Sequence, residues 1–407
     1  MAWYKKLGPG LLYAGAAIGV SHLVQATRAG ALYAFDLALV VLVINLIKYP
    51  FFEVGTRFVS ATGQNLLQGY YKIHPLFLLI FLLQTFFTMF IVQSAVTVVT
   101  AGILINFLGL SLSLEFVCFG LFALLSLVLV QGKLSYLDRA MKPIILLLVL
   151  CTCVAFVMAF AQTKSQNNLF ISSFDWLDNK DLVFLAALVG WMPSPLDGSV
   201  WHSVWAADKM KESKEVTHVK DALFDLRFSY LLIIVLALMF LSLGALVMHA
   251  NGQNFSAGAI NFSSELIGLY RASLGPWSSF VVSFGCLMIM ISTTLSCWDA
   301  FARTMTEGSF LLAKKRSFLN YHFYLILIFC GSLFIISHYF SNMKTLVDFA
   351  TTVAFLVAPL IALLSLALLF RKRQPSEVSV FPLALKVTSV VSTLFLLLSS
   401  AFYLLYL

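Results

Sequence analysis

The stretch Leu182–Trp205, LVFLAALVGWMPSPLDGSVWHSVW, is apolar enough to cross a bilayer, yet it carries Pro193 and Pro195 with Gly190 and Gly198 on either side. Each proline removes a backbone donor and clashes with the preceding turn, so no α-helix passes this point unbroken. The segment therefore reads as two half-helices joined by an unwound link. In hydrocarbon, freed backbone groups are tolerated only where they face protein or a watery cavity. Asp197 stands in the link, and a carboxylate at that depth marks a functional site by default. The link is expected to form one wall of a substrate site.

Ten further apolar segments accompany it. The spans fall at roughly 8–34, 37–57, 76–106, 115–131, 141–162, 182–206, 227–249, 276–307, 321–340, 345–370 and 380–406, each of a length suited to a membrane helix. Charged residues make up 11% of the chain, against about 25% in soluble proteins. The reading is an all-α integral membrane protein embedded in lipid, crossing eleven times, with no short cleavable leader before the first span. All six cysteines (Cys118, Cys151, Cys153, Cys286, Cys297 and Cys330) lie in apolar spans and read as packing residues. No nucleophile, general base and orienting group stand together, so an enzyme is not expected, and nothing calls for a cofactor. A channel is disfavoured by the lack of a repeated filter or charged ring.

The net charge of +8 sits in short loops and is no footprint of nucleic-acid binding. Nineteen of the 26 basic residues fall in alternate gaps between spans and five in the others. That asymmetry places the N-terminus in the cytoplasm, and an odd number of spans then puts the C-terminus outside. The expected location is the cell membrane, of the prokaryotic inner-membrane kind. Lys48, inside the second span, is expected to snorkel to the cytoplasmic surface or to pair with Glu53. The charged stretch 206–227 reads as a short cytoplasmic linker helix with a solvated face.

The first span, GPGLLYAGAAIGVSHLVQATRAGALYAF, is the counterpart of the sixth: Gly15 and Gly19 weaken it, and Ser21 and His22 are polar at mid-depth. Interrupted spans at corresponding places in two halves point to an inverted-repeat transporter with its site at the midplane. Residues 1–407 then form one transporter domain, with 8–162 and 182–370 as the halves and 380–406 as an accessory helix. The expected substrate site draws Gly19, Ser21 and His22 from the first break and Val189, Met192, Ser194 and Asp197 from the second. His22, Met192, Asp197 and the freed carbonyl of Val189 form a candidate metal set. It suits borderline transition ions and suits magnesium or calcium poorly. His22, Asp197 and His202 are the candidate proton carriers, because imidazole titrates near neutrality.

Each has a plainer alternative. His22 bonds a carbonyl, Met192 packs, and Asp197 caps the following half-helix. Asp299 is expected to pair with Arg303 one turn on, Asp348 to be interfacial, and Trp201 and Trp205 to share a helix face. The rival cargo is a small organic solute such as an amino acid, whose carboxylate would meet the free amides from Gly15 to Ser21.

The residues reached so far resemble the Nramp family of proton-coupled divalent metal transporters, over most of the chain. Gly8-Pro9-Gly10 and Ala29-Gly30-Ala31 stand at the family's spacing around the first break. Arg57 with Thr62-Gly63 resembles the end of its second helix, and Gly132 with Leu137-Asp138 the start of its fifth. Met192-Pro193 resembles the opening of its sixth-helix motif, and Ser292 to Gly308 its eighth helix. The resemblance implies a LeuT-type fold of two inverted five-helix repeats with helices 1 and 6 broken, and metal symport by alternating access. The chain departs from the family at the site. Gly19-Val20-Ser21-His22 stands where members carry Asp-Pro-Gly-Asn, and Ser194-Pro195 where they carry His-Asn. The His-Ser pair survives as His202-Ser203, three residues later than the family places it, and no carboxylate lies between Pro75 and Ser113.

Overall fold

The structure, a computed structural model, describes residues 8–130, 134–162, 173–213, 218–314, 319–339, 342–371 and 380–406. The described residues are helical, with no strand among them. The first span is α1 (Pro9–Ala17), a π-helical turn (Ser21–Ala26) and α2 (Thr27–Tyr33). The second to fifth spans are α3 (Ala38–Thr62), α5 (Pro75–Leu108), α6 (Leu114–Val130) and α7 (Leu134–Gln162), with the short α4 (Leu66–Ile73) between α3 and α5. The sixth is α8 (Asn179–Trp191) and α9 (Gly198–Ser213). The seventh is α10 (Val219–Leu243), drawn out through a π turn and a 3-10 turn to Asn251. Then come α11 (Ala259–Leu274), α12 (Ser278–Ala313), α13 (Tyr321–His338), α14 (Met343–Phe370) and α15 (Leu383–Tyr406).

Local chemistry sets many of these ends. Gly63 and Gly109 take φ of +67° and +62° and stop α3 and α5 in the left-handed conformation that a glycine adopts without a Cβ penalty. Asn65 and Gln68 form a capping box on α4, and Asn320 and Asn342 cap α13 and α14. Seven helices among the described residues are long and apolar enough to cross a membrane by themselves.

Counterpart helices of the two halves pack on one another: α1 on α9, α3 on α10, α5 on α12 and α6 on α13. A two-fold relation between the halves brings such partners together, and the chain has the LeuT-type architecture that the paired breaks implied. The closest crossings are made by glycine. A Cβ on Gly30 would overlap the Leu241 carbonyl, and one on Gly190 would overlap the Thr351 carbonyl.

One expectation is corrected. The stretch 206–227 holds no separate linker helix among the described residues: α9 continues to Ser213 and α10 begins at Val219, because the charged residues extend the flanking helices. Two helices, α4 and α11, were not anticipated, since each is too short or too polar to register as a span. Lys5, Lys6, Lys133, Lys164, Lys214, Lys315, Arg316, Lys372 and Arg373, part of the charge asymmetry, lie outside the described residues.

Candidate functional site

The second break opens where proline denies the helix its hydrogen bonds. α8 ends at Trp191, the Met192–Pro193 peptide is cis, and α9 starts at Gly198. In an unbroken helix the Val189 carbonyl would accept from residue 193, a proline without an N–H. The Gly190 carbonyl would accept from Ser194, and the Ser194 carbonyl from Gly198, whose amide instead donates to Pro195. All three carbonyls are taken by one side chain. Lys48, fully buried in α3, donates from Nζ to Val189 O at 2.8 Å, Gly190 O at 2.8 Å and Ser194 O at 3.0 Å. The expected snorkelling and the Glu53 pairing are both overturned: Glu53 bonds Arg57 at 2.7 Å, and a broken helix end 141 residues away is the stronger acceptor for Lys48.

The first break is shorter. Ile18 and Gly19 leave the helix, and the Gly19 amide turns to Ala17 O at 2.8 Å. This frees Gly15 O, which accepts from Thr293 Oγ1 of α12 at 3.3 Å. A Cβ at Gly19 would stand 2.5 Å from that same hydroxyl, so glycine permits the close approach. Ser21 and His22 already lie in the π-helical turn. His22 Nε2 meets Ile233 O of α10 at 3.0 Å, and its Nδ1 meets Ser21 Oγ at 2.7 Å. Ser21 Oγ in turn donates to Ala17 O at 2.6 Å.

Between the breaks lies a cavity of about 30 Å³. Its lining is mostly apolar; the polar residues in it are Tyr13, Ser21, Ser194, Thr293 and Cys297, with Trp191 and Trp201 alongside. Tyr13 donates to Ser194 Oγ at 2.9 Å, and Ser194 donates to Pro195 O, so the two walls are tied by hydrogen bonds. The Nε1 atoms of Trp191 and Trp201 are buried and have no protein partner.

The expected residues are therefore divided. Ser21 and Ser194 face one cavity, whereas His22 turns to α10 and Asp197 to α5, where Gln84 Nε2 donates to its Oδ1 at 2.8 Å. His22, Met192 and Asp197 are not among the lining residues. Nor do the described residues hold any group of three or more His, Cys, Asp or Glu side chains placed to bind a metal. The Val189 carbonyl is occupied by Lys48. His202 packs edge-on to Tyr13 at 6.1 Å with its Nδ1 unpartnered, and Ser203 Oγ accepts the amide that opens α4. Sequence reasoning missed Tyr13, Thr293 and Cys297 and gave Lys48 the wrong partner. Only Lys48 carried a signal, as a charge in the middle of an apolar span.

Polar clusters stand past each break. Arg28 holds Asp348 of α14 with Nη1–Oδ1 at 2.6 Å and Nη2–Oδ2 at 3.0 Å, and reaches Gln25 as well. Past the second break, Asp299 takes the Arg303 guanidinium at 2.8 Å, the Tyr321 hydroxyl at 2.7 Å and the Trp205 indole at 3.3 Å. The expected Asp299–Arg303 pair is present, and Asp348, half-buried, pairs with Arg28. The two clusters draw on different helices, α2 and α14 for the first and α9, α12 and α13 for the second.

Two broken helices around a small cavity, with a polar cluster past each break, define a secondary transporter of the LeuT type. The family model described as natural resistance-associated macrophage protein-like matches residues 10–406, and the chain belongs to this Nramp family. It is 32% identical over 377 residues to an uncharacterized protein of Pasteurella multocida, covering 91% of this chain and 86% of the relative. Its fold is similar to that of an Eremococcus coleocola manganese transporter solved with an aromatic bis-isothiourea substituted compound: TM-score 0.71, 13% identity, 98% of this chain and 86% of the other. It is also similar to MhsT in complex with L-phenylalanine: TM-score 0.62, 15% identity, 97% of this chain and 98% of the other.

Proposed function

We propose that this chain moves a divalent transition-metal cation across the membrane by alternating access, with the ion passing through the cavity between the two breaks. Membership of the Nramp family carries the reading, and the small cavity between the breaks is in keeping with it. About 30 Å³ admits an ion or a water or so. The hydroxyls of Tyr13, Ser21 and Ser194 and the thiol of Cys297 are the residues that would hold the ion. Oxygen with one sulfur suits a softer transition ion such as zinc better than magnesium. The free indole N–H groups of Trp191 and Trp201 are donors for accompanying water. Membership of the Nramp family supports the cargo, as does the manganese named for the structural neighbour.

Proton movement is assigned to His22. Ile233 O only accepts, so Nε2 carries a hydrogen in either charge state. In the neutral ring the Ser21 hydroxyl serves Nδ1 or Ala17 O, and in the protonated ring Nδ1–H donates to Ser21 while Ser21 donates to Ala17 O. Both states are hydrogen-bonded without moving a helix, which is what a proton carrier requires. Asp197 and His202 are the other candidates. The N-terminus is assigned to the cytoplasm and the C-terminus to the outside of a prokaryotic inner membrane, on the loop charges.

Calorimetry of the purified protein with manganese and zinc tests the cargo. Saturable heat with either ion is expected. No heat with the ions, together with a rise in thermal stability on adding amino acids, would replace the metal by an organic solute.

A further inference from the structure

The three carbonyls around Lys48 form a cage of the kind that binds a free cation. They are the orphaned acceptors of a broken helix: Val189 and Gly190 from the last turn of α8, and Ser194 from the link. The C-terminal end of α8 also carries the negative pole of its helix dipole. The Asp197 carboxylate belongs to the same break and interacts electrostatically with Lys48. In transporters with broken helices, unwound carbonyls and half-helix C-termini coordinate the coupling ion, and carbonyl and carboxylate oxygens are the ligands of hard cations. Here an ammonium fills the cage with all three of its protons bonded and no exposed surface.

We propose that Lys48 is a resident cation. Its ammonium, tethered to α3, stands where a free alkali cation would otherwise sit, and gives the break its charge balance without a co-transported ion. Two consequences follow. The protein needs neither sodium nor potassium to hold the second break in shape. The transported ion, on the metal reading above, takes none of the cage carbonyls and is ligated from the hydroxyl and thiol side of the cavity. Removing the Lys48 charge converts the cage into a binding site for an alkali cation, because the orphaned carbonyls and Asp197 remain and an unpaired buried charge is strongly unfavourable.

The test is a thermal-stability titration of purified wild type, Lys48→Ala and Lys48→Gln with sodium chloride or potassium chloride against choline chloride at constant ionic strength. Wild type is expected to be indifferent to the cation. Lys48→Ala is expected to melt several degrees lower in choline and to recover a large part of that loss, saturably, with one alkali ion. Lys48→Gln, which keeps two of the three donors, is expected to lose less and recover less. A purely structural lysine would give the loss without the cation-specific recovery, and that result overturns the proposal.

Should neither variant be obtained folded, wild type decides alone. Manganese uptake into proteoliposomes that persists when choline replaces sodium and potassium supports a resident cation. Specific stabilisation of wild type by sodium or potassium, or uptake that requires either, overturns it. Absence of manganese uptake under every condition would instead count against the metal cargo, and the melting curves would still decide the role of Lys48.

Discussion

Arg28 of α2 and Asp348 of α14 face each other in a two-pronged pair, and Arg28 also lies over the Phe184 ring of α8 at 5.1 Å. One guanidinium thus ties the far half of the first span to the sixth and the tenth. A bidentate pair of this kind is specific to the arginine fork.

Asp348→Asn is expected to cost about 3 kcal/mol of stability, since it leaves a buried guanidinium without its counter-charge. Arg28→Lys is expected to keep the charge and lose the second prong. With the clamp loosened, Ser21→Cys in the cavity wall should react faster with a membrane-impermeant thiol reagent added on the side of Arg28. Unchanged labelling rates in both variants would show that the pair does not close that side.

Gly190→Ala is expected to abolish stable folding, because its Cβ would overlap the Thr351 backbone and α8 cannot withdraw from α14 without dragging the break with it. Gly120→Ala is the control. It meets nothing within 4 Å and should stabilise α6 by about 1 kcal/mol through helix propensity alone. Melting curves of the two variants in detergent separate the cases. Similar behaviour in both would mean that the crossing is not tight.

The contrast between these glycines shows what the chain makes legible. Pro193 and Pro195 announce a break because their effect is local and steric, and the spans announce themselves by length and apolarity. The helices that escaped notice lack both signals: α4 is a single capped pair of turns, and α11 is amphipathic. Within the site, residue type says nothing of the direction a side chain takes. His22 and Asp197 are both buried, but whether they face each other depends on which neighbouring helix offers a partner. Ile233 O on α10 draws one and Gln84 on α5 the other. Lys48 was misread for the same reason, as its acceptors lie more than a hundred residues along the chain.

Asp225 of α10 receives the Gly8 amide at 3.0 Å and the Gly10 amide at 2.7 Å, capping α1 from another helix. A Cβ at Gly10 would stand 2.7 Å from the Asp225 carbonyl, which accounts for the glycine beside Pro9. Asp225→Ala should free the start of α1, at a cost of about 1–2 kcal/mol for a lost cap. Hydrogen exchange at Leu11, Leu12 and Tyr13 is expected to accelerate while exchange in α2 is unchanged. Equal protection in wild type and variant would contradict the capping role.

A reporter that is active only in the cytoplasm, fused after Leu407, is expected to be silent. The same reporter in the 206–218 stretch should be active. Eleven crossings from a cytoplasmic N-terminus end outside, and the 206–218 stretch is rich in lysine. Activity at the C-terminus would mean an even number of crossings and would remove the basis for the assigned sides of the two termini.

The cavity's one sulfur separates candidate ions. Cys297 lines the same small space as Ser21 and Ser194, and a thiol ligand favours zinc over manganese because the softer donor matches the softer ion. Cys297→Ser replaces sulfur by oxygen with little change in volume, so the packing of α12 beside the break is retained. Zinc affinity is expected to fall by about tenfold, or 1.4 kcal/mol, while manganese affinity is held or improved. Calorimetric titration of wild type and variant with both ions reads this ratio directly. If both affinities fall together, Cys297 acts through packing and touches no ion. If neither changes, the ion is held by the hydroxyls of Tyr13, Ser21 and Ser194 alone.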